Sequence, residues 1–350
     1  MAHGGDIYRN KVNMDFSVNL NPMGVSKEVF KEVEKSLERI SCYPDIRQAK
    51  VREIIAKALG VKAEEVCGGN GASELIMAAV RAIKPQKALL FEPAFGGYEY
   101  ALKAADCDID RLCLKRETGF KFTMEDVTRL SLDCDIAFVC DPVNPTGAGI
   151  SDEVLLKLLE AFREKNITVC LDESFLWLSD KSEAFGQEHF AKLIDKYPNL
   201  IIIRSLTKIL AMPGIRMGIA VASSGNIEKM IKQLPEWNLS APAEAGIMAG
   251  IKLIYETDFS VRCVKEITSE REYLTKELRE LGLKTYDSCT AFILFEGPKN
   301  LYERALEKGI LIRDCSDFCG LSDGYYRIAV RRHEDNKELI RILRGIINEF

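Results

Sequence analysis

The sequence predicts an α/β fold, with a large domain built on a mainly parallel sheet between helices and a smaller C-terminal α+β domain. Three observations carry this. First, four short runs are continuously apolar: Ala88-Leu89-Leu90-Phe91, Ile136-Ala137-Phe138-Val139-Cys140, Ile167-Thr168-Val169-Cys170-Leu171 and Leu200-Ile201-Ile202-Ile203. Strands of that kind belong to a parallel sheet covered on both faces. Second, helical patterns lie between the runs. Third, the strand-helix alternation gives way after about residue 257 to short strands among charged, amphipathic helices.

Taken in chain order, residues 1–40 lack the alternation apart from a helix near 29–37, and are expected to form an arm packing near the active site, on the small domain or across a dimer. Residues 41–256 are expected to be the large domain. Its helix 152–165 places Leu155, Leu156, Leu158, Leu159 and Phe162 on one side, with Ser151 in the N-cap position. Met217-Gly218-Ile219-Ala220-Val221 adds a further strand. Residues 257–350 are expected to be the small domain, with a long charged helix over 259–281, strands near 284–286 and 291–295, a helix near 301–308, a strand over 326–330 and a last helix from about 335.

At 350 residues the chain is long enough for both units. A net charge of −5 argues against a nucleic-acid partner, because no broad basic surface is implied. No run approaches the roughly 18 apolar residues of a membrane span, and no apolar signal core follows Met1. The eleven cysteines are scattered through apolar strands and form no CxxC pair, which suits small buried residues in a reducing cytoplasm. The three histidines, His3, His189 and His333, are not spaced as metal ligands, so no metal is expected.

Chemistry concentrates at the ends of the apolar runs, where ligands of open α/β sheets collect. Lys208 follows one of them. A lysine in a partly dry pocket has a lowered pKa and forms a Schiff base with an aldehyde. Among 48 Lys and Arg residues, Lys208 alone would read as a solvated surface lysine. Its neighbours change that reading: Ser205 and Thr207 supply hydroxyls, and Arg216 supplies a fork for a phosphate dianion. Gly69-Asn70-Gly71-Ala72-Ser73 precedes a helical run over 74–83, whose free N-terminal amides suit an anion; an ordinary glycine turn is the alternative. Neither the P-loop nor the GxGxxG pattern is matched. Asp172 ends a buried strand and needs a partner. A pyridinium nitrogen would serve, as would a structural salt bridge. Asn144, in Asn-Pro-Thr-Gly, suits a phenolic oxygen or a simple turn. Phe95 suits ring stacking or core packing. Arg313 and Arg327 sit among apolar residues and require anions, from a substrate or from structural Asp or Glu.

On these residues the chain resembles the fold type I pyridoxal phosphate enzymes of the class I/II aminotransferase superfamily, over essentially its whole length. The resemblance implies a seven-stranded, mainly parallel sheet and pyridoxal 5'-phosphate as cofactor. In the Ser-x-x-Lys-x7-Arg segment it makes Lys208 the catalytic, cofactor-bearing lysine. Ser205, Arg216 and the amides of Gly71, Ala72 and Ser73 would hold the cofactor phosphate, Asp172 the ring nitrogen and Asn144 the phenolate, with Phe95 stacked on the ring. Tyr43, in Cys42-Tyr43-Pro44-Asp45, resembles the tyrosine that reaches the cofactor phosphate of a neighbouring subunit, which implies a homodimer with shared active sites. Arg327 matches the arginine that takes a substrate α-carboxylate.

Two groups within the superfamily are most similar, the threonine-phosphate decarboxylases of cobalamin synthesis and the histidinol-phosphate aminotransferases. The start His3-Gly4-Gly5-Asp6, the segment Asp15-Phe16-Ser17-Val18-Asn19-Leu20-Asn21-Pro22-Met23-Gly24 and Phe175 after Asp172-Glu173-Ser174 resemble the decarboxylases. By that resemblance His3, Asn19 and Arg313 would surround a substrate phosphate, and the reaction would be decarboxylation of O-phospho-L-threonine, with O-phospho-L-serine as an alternative substrate. An aminotransferase is the competing expectation. A non-catalytic cofactor-binding module is a third, opposed by the retention of Lys208, Asp172 and Arg216.

Overall fold

The computed structural model describes residues 4–184 and 189–349. Strand β1 (Met14–Asp15) opens the chain. A seven-stranded sheet follows: β2 (Val66–Asn70), β3 (Lys87–Glu92), β4 (Asp108–Cys113), β5 (Ile136–Cys140), β6 (Thr168–Asp172), β7 (Leu200–Ser205) and β8 (Met217–Ala222). Its order is β2-β8-β7-β6-β5-β3-β4. Strands β4, β3, β5, β6 and β7 pair in parallel, and β8 is antiparallel to both its neighbours, so β8 alone runs against the rest.

The apolar runs are continuous because the sheet is covered on both faces. In β7, Leu200 and Ile202 join one core and Ile201 and Ile203 the other; in β6, Val169 and Leu171 oppose Cys170 in the same way. Helix Asp152–Glu164 lays Leu155, Leu158, Leu159 and Phe162 on the first core, and Ser151 caps it by accepting from Val154 N at 3.4 Å. Helix Ala72–Ile83 lies on the second.

The smaller C-terminal domain has its own core, with Leu274 and Leu278 from helix Phe259–Glu280 and Leu339 and Leu343 from helix His333–Ile347. Strands β9 (Lys284–Thr285), β10 (Phe292–Glu296), β11 (Ile310–Leu311), β12 (Arg313–Asp314) and β13 (Tyr325–Ala329) complete the set. They form an antiparallel sheet in the order β12-β13-β10-β9, while β11 pairs in parallel with β1. Through that pairing the N-terminal segment is tied to the small domain. Phe16 is fully buried, accepts from Ala329 N at 2.8 Å and donates to Leu311 O at 2.7 Å. The segment then reaches the large domain, where Asn21 N donates to Lys208 O at 3.0 Å. No described helix is long and apolar enough to cross a membrane.

Candidate active site

A cleft of about 770 Å³ opens at the carboxyl ends of the parallel strands and is walled by both domains and the N-terminal segment. Its lining includes Lys208, Ser73, Phe95, Asn144, Arg216, Asn19, Arg313 and Arg327, so residues far apart in sequence meet in one place.

Lys208 sits in the short helix Leu206–Ile209 that continues β7. Its backbone is braced by Asn21, which also donates from Nδ2 to Ile209 O at 2.8 Å. Burial draws the ammonium down to about 8, helped by repulsion from Arg327 and Arg216 and opposed by the attraction of Asp172. An amine in that range is available as a nucleophile and as a proton carrier near neutral pH.

Asp172, at the end of β6, is buried. It accepts from Ser174 N at 2.9 Å and from the Tyr98 hydroxyl at 2.6 Å. Burial lifts its carboxyl above the ordinary range, while those hydrogen bonds and Lys208 act to lower it. Burial and the Asp172 charge raise the Tyr98 phenol well above its usual value, so Tyr98 stays a donor. Tyr98 also stacks on Phe138 at 4.8 Å and meets the Phe95 ring edge-on at 5.5 Å.

The anion end is built by close approach of backbone and guanidinium. Gly71 caps helix Ala72–Ile83 with φ of +80°, and a Cβ there would stand 2.5 Å from Arg216 Nη2. Only glycine combines that dihedral with that contact. The Ser205 and Thr207 hydroxyls, just before Lys208 in sequence, lie 2.6 Å apart, and both residues are buried.

On the opposite wall Arg327 is buried and donates to Asn144 Oδ1 and, at 2.7 Å, to Ser17 O. The Asn19 amide, with its oxygen toward Arg327, accepts from Nε and Nη1 at 3.3 Å. Among the described residues Arg327 forms no ion pair, and burial, its largest influence, draws it down to about 10. Arg313 differs: its Nη2 meets Asp317 Oδ1 at 2.7 Å, so the anion it requires is present within the chain. The Asp15–Asn19 segment is locked by Ser17, which donates from N and Oγ to Asp15 Oδ1 at 2.8 and 2.6 Å and accepts from Gly5 N at 2.7 Å. A Cβ on Gly4 would stand 2.4 Å from Ser17 O, which explains a glycine there.

One expected residue stands away from the cleft, and another lies outside the described residues. Tyr43 is 82% exposed and packs on Trp237 with ring centroids 4.8 Å apart, away from the cleft of its own chain. His3 lies outside the described residues. Conversely, sequence reasoning did not single out Tyr98, Asp317 or the far wall, where Arg111 pairs with Glu92 and, at 2.9 Å, with Glu99. Tyr98 is three residues beyond Phe95, and nothing local marks it as the partner of an acid 74 positions away.

The donor set fits pyridoxal 5'-phosphate. A buried acid needs a cationic partner, a pinched glycine turn and Arg216 suit a phosphate, and a lysine of lowered pKa suits an aldehyde. No cluster of three or more potential metal-ligating His, Cys, Asp or Glu occurs among the described residues.

Comparison with known proteins agrees. The profile of the family described as aminotransferase class I and II matches residues 11–343, and the chain belongs to that family, whose cofactor is pyridoxal phosphate. A protein of Caldanaerobacter subterraneus subsp. tengcongensis, provisionally named a threonine-phosphate decarboxylase, is 35% identical over 99% of this chain and 94% of its own. The threonine-phosphate decarboxylase of Salmonella typhimurium is 29% identical over 99% and 96%. Among solved structures, the histidinol-phosphate aminotransferase from Clostridium acetobutylicum superposes with a TM-score of 0.87, at 28% identity, covering 96% of this chain and 100% of that one.

Proposed function

We propose that this enzyme decarboxylates O-phospho-L-threonine to (R)-1-amino-2-propanol O-2-phosphate, a building block for cobalamin synthesis. The observation that carries the reading is the pair of buried arginines, Arg327 and Arg313, lining one cleft with Lys208. They offer separate seats for a carboxylate and a phosphate on one small substrate. The relatives named above support the same reading.

In this proposal Lys208 carries the cofactor, Gly71, Ala72, Ser73, Ser205 and Arg216 hold its phosphate, Asp172 its ring nitrogen, Asn144 its phenolate and Phe95 its ring. Bound pyridoxal phosphate supplies an electron sink for the bond broken at Cα. Arg327, oriented by Asn144, Ser17 and Asn19, seats the α-carboxylate, while Arg313, Asn19 and His3 face the phosphate. These contacts decide which Cα bond is exposed to cleavage. If they leave the bond from Cα to the carboxylate as the labile one, carbon dioxide would leave and Lys208 would return a proton to Cα. If they instead present the Cα–H bond to Lys208, that amine would remove the Cα proton and transamination would follow. A misplacement on the order of 1 Å is enough to change the outcome.

The likeness to a histidinol-phosphate aminotransferase favours the second outcome, and one experiment separates them. Cofactor-loaded protein given O-phospho-L-threonine and no oxo acid is expected to release carbon dioxide through many turnovers. No release, with oxo-acid-dependent turnover of histidinol phosphate instead, would make the enzyme an aminotransferase.

The reading extends to a homodimer. Phe30, Leu37, Ile40, Tyr43, Ile46 and Trp237 are exposed apolar residues, with Ile40 at 73% and Tyr43 at 82%. An uncovered set of that size suits a protein partner, and Tyr43 would then reach the neighbouring site. Light scattering on the purified protein is expected to give twice the chain mass. Tyr43→Phe is expected to weaken cofactor retention roughly tenfold, as loss of one hydrogen bond to a charged group implies; a monomer with full activity would reject shared sites.

A further inference from the structure

The loop after β12 places a carboxylate on the wall where Arg313 would meet a substrate. Ser316, Asp317 and Phe318 all line the cleft. Arg313 donates from Nη2 to Asp317 Oδ1 at 2.7 Å and from Nη1 to Asp314 O, and its guanidinium lies over the Phe318 ring at 5.0 Å. The pair is asymmetric: the Arg313 side chain is 9% exposed and that of Asp317 is 30% exposed. The acid is thus on the wetter side of the bridge.

The loop does not depend on this bridge for its shape. Asp314 accepts from Ser316 N at 2.9 Å and from Ser316 Oγ at 3.1 Å, Cys315 N donates to Tyr325 O at 2.9 Å, and Phe318 N donates to Cys315 O at 3.1 Å. Asp317 can therefore leave Arg313 without unravelling the turn. Arg313 cannot withdraw into the small domain without carrying its charge into an apolar core, which is strongly unfavourable.

We propose that Asp317 is a displaceable counter-ion that any anion must replace to occupy the Arg313 seat, so that weakly held anions are kept out. The inference rests on the reading that Arg313 faces the substrate's phosphate. Exchanging Asp317 for another singly charged carboxylate trades one ion pair for an equivalent one and gains little. Exchanging it for a phosphate dianion gains charge and a bidentate match to the guanidinium. Asp317 therefore lowers the affinity of every anion by about the same factor, which leaves a singly charged anion little net gain and a phosphate a usable one, so it acts as a specificity-determining residue through competition for Arg313.

The test uses the cofactor-loaded enzyme, so that the cofactor's own phosphate seat is filled, with inorganic phosphate as a competitive inhibitor at pH 8. Asp317→Asn is expected to tighten phosphate inhibition by roughly tenfold. Arg313→Gln is the companion variant and is expected to abolish inhibition by phosphate. If Arg313→Gln leaves phosphate inhibition intact, the phosphate seat itself is refuted, and this inference with it. If Arg313→Gln abolishes inhibition while Asp317→Asn leaves it unchanged or weaker, Asp317 is a structural prop for Arg313 and only the counter-ion role is overturned.

Discussion

Replacing Lys208 with Met is expected to lower turnover by roughly three orders of magnitude or more, because the same amine carries the cofactor and the proton. The variant is also expected to lose the visible absorbance that borohydride abolishes in the wild type. A second outcome separates this residue from an ordinary buried side chain: the cofactor-free variant is expected to be more stable than the wild type at pH 7. Burial draws Lys208 from 10.5 to about 8 in the folded chain. Below about 8 both states bind the proton, and the folded state bears the full cost of a buried ammonium, on the order of 3 kcal/mol. Methionine keeps the aliphatic stem and removes the charge. As pH rises from 8 to 10.5 the folded wild type releases its proton while the unfolded chain retains it, so wild-type stability climbs over that window. The variant lacks this climb. Thermal unfolding of both cofactor-free proteins from pH 7 to 10.5 checks it. Unchanged turnover and an unchanged spectrum would reject the assignment of this site.

The centre of the sheet was legible in the sequence because its strands are covered on both faces and leave uninterrupted apolar runs. The edges were not. Strand β4 reads Asp-Ile-Asp-Arg-Leu-Cys, polar enough for an open edge that pairs only with β3. Strand β2 contains Gly68 and Gly69, which pack with no side chain of their own against Leu239 and Leu75. Helix Ala241–Glu256 gave no clear amphipathic stripe because apolar residues occupy most of its sides: Ile247, Ile251 and Ile254 join the core on one face, while Met248, Ala249 and Leu253 pack against it from others. The same logic applies to the cleft. Lys208, Asp172 and Asn144 were legible because each follows a recognisable strand. Tyr98 and Asp317 were not, because their roles exist only through partners placed by the fold. Sequence context identified Arg313 and Arg327 equally as cations needing anions; only the structure shows that one has Asp317 and the other has none among the described residues.

That difference gives Arg327 a distinctive expected behaviour when it is compared with Arg204, another buried arginine. Arg204 pairs with Glu173 at 2.6 Å and with the Tyr255 hydroxyl at 3.0 Å, and both charged side chains are almost fully shielded. Arg204→Gln would strand the Glu173 carboxylate, and such a loss costs about 3–5 kcal/mol. The protein is expected to unfold at a markedly lower temperature. Arg327 has no acid to strand. Burial draws it from 12.5 to about 10, a penalty on the order of 3 kcal/mol in the folded state. Its hydrogen bonds to Asn144 and Ser17 offset a comparable amount, at about 1.5–3 kcal/mol each for a charged donor. Arg327→Gln is therefore expected to shift the unfolding midpoint little. Its effect falls on the substrate, whose carboxylate loses its only cationic partner in the proposed pose, a loss of about 2–5 kcal/mol. The KM for an α-amino acid substrate is expected to rise roughly a hundredfold or more, while a des-carboxy analogue such as phosphoethanolamine binds the variant as well as the wild type. Weakened binding of both molecules, or a midpoint lowered as far as in Arg204→Gln, would show that Arg327 holds the two domains together rather than the substrate.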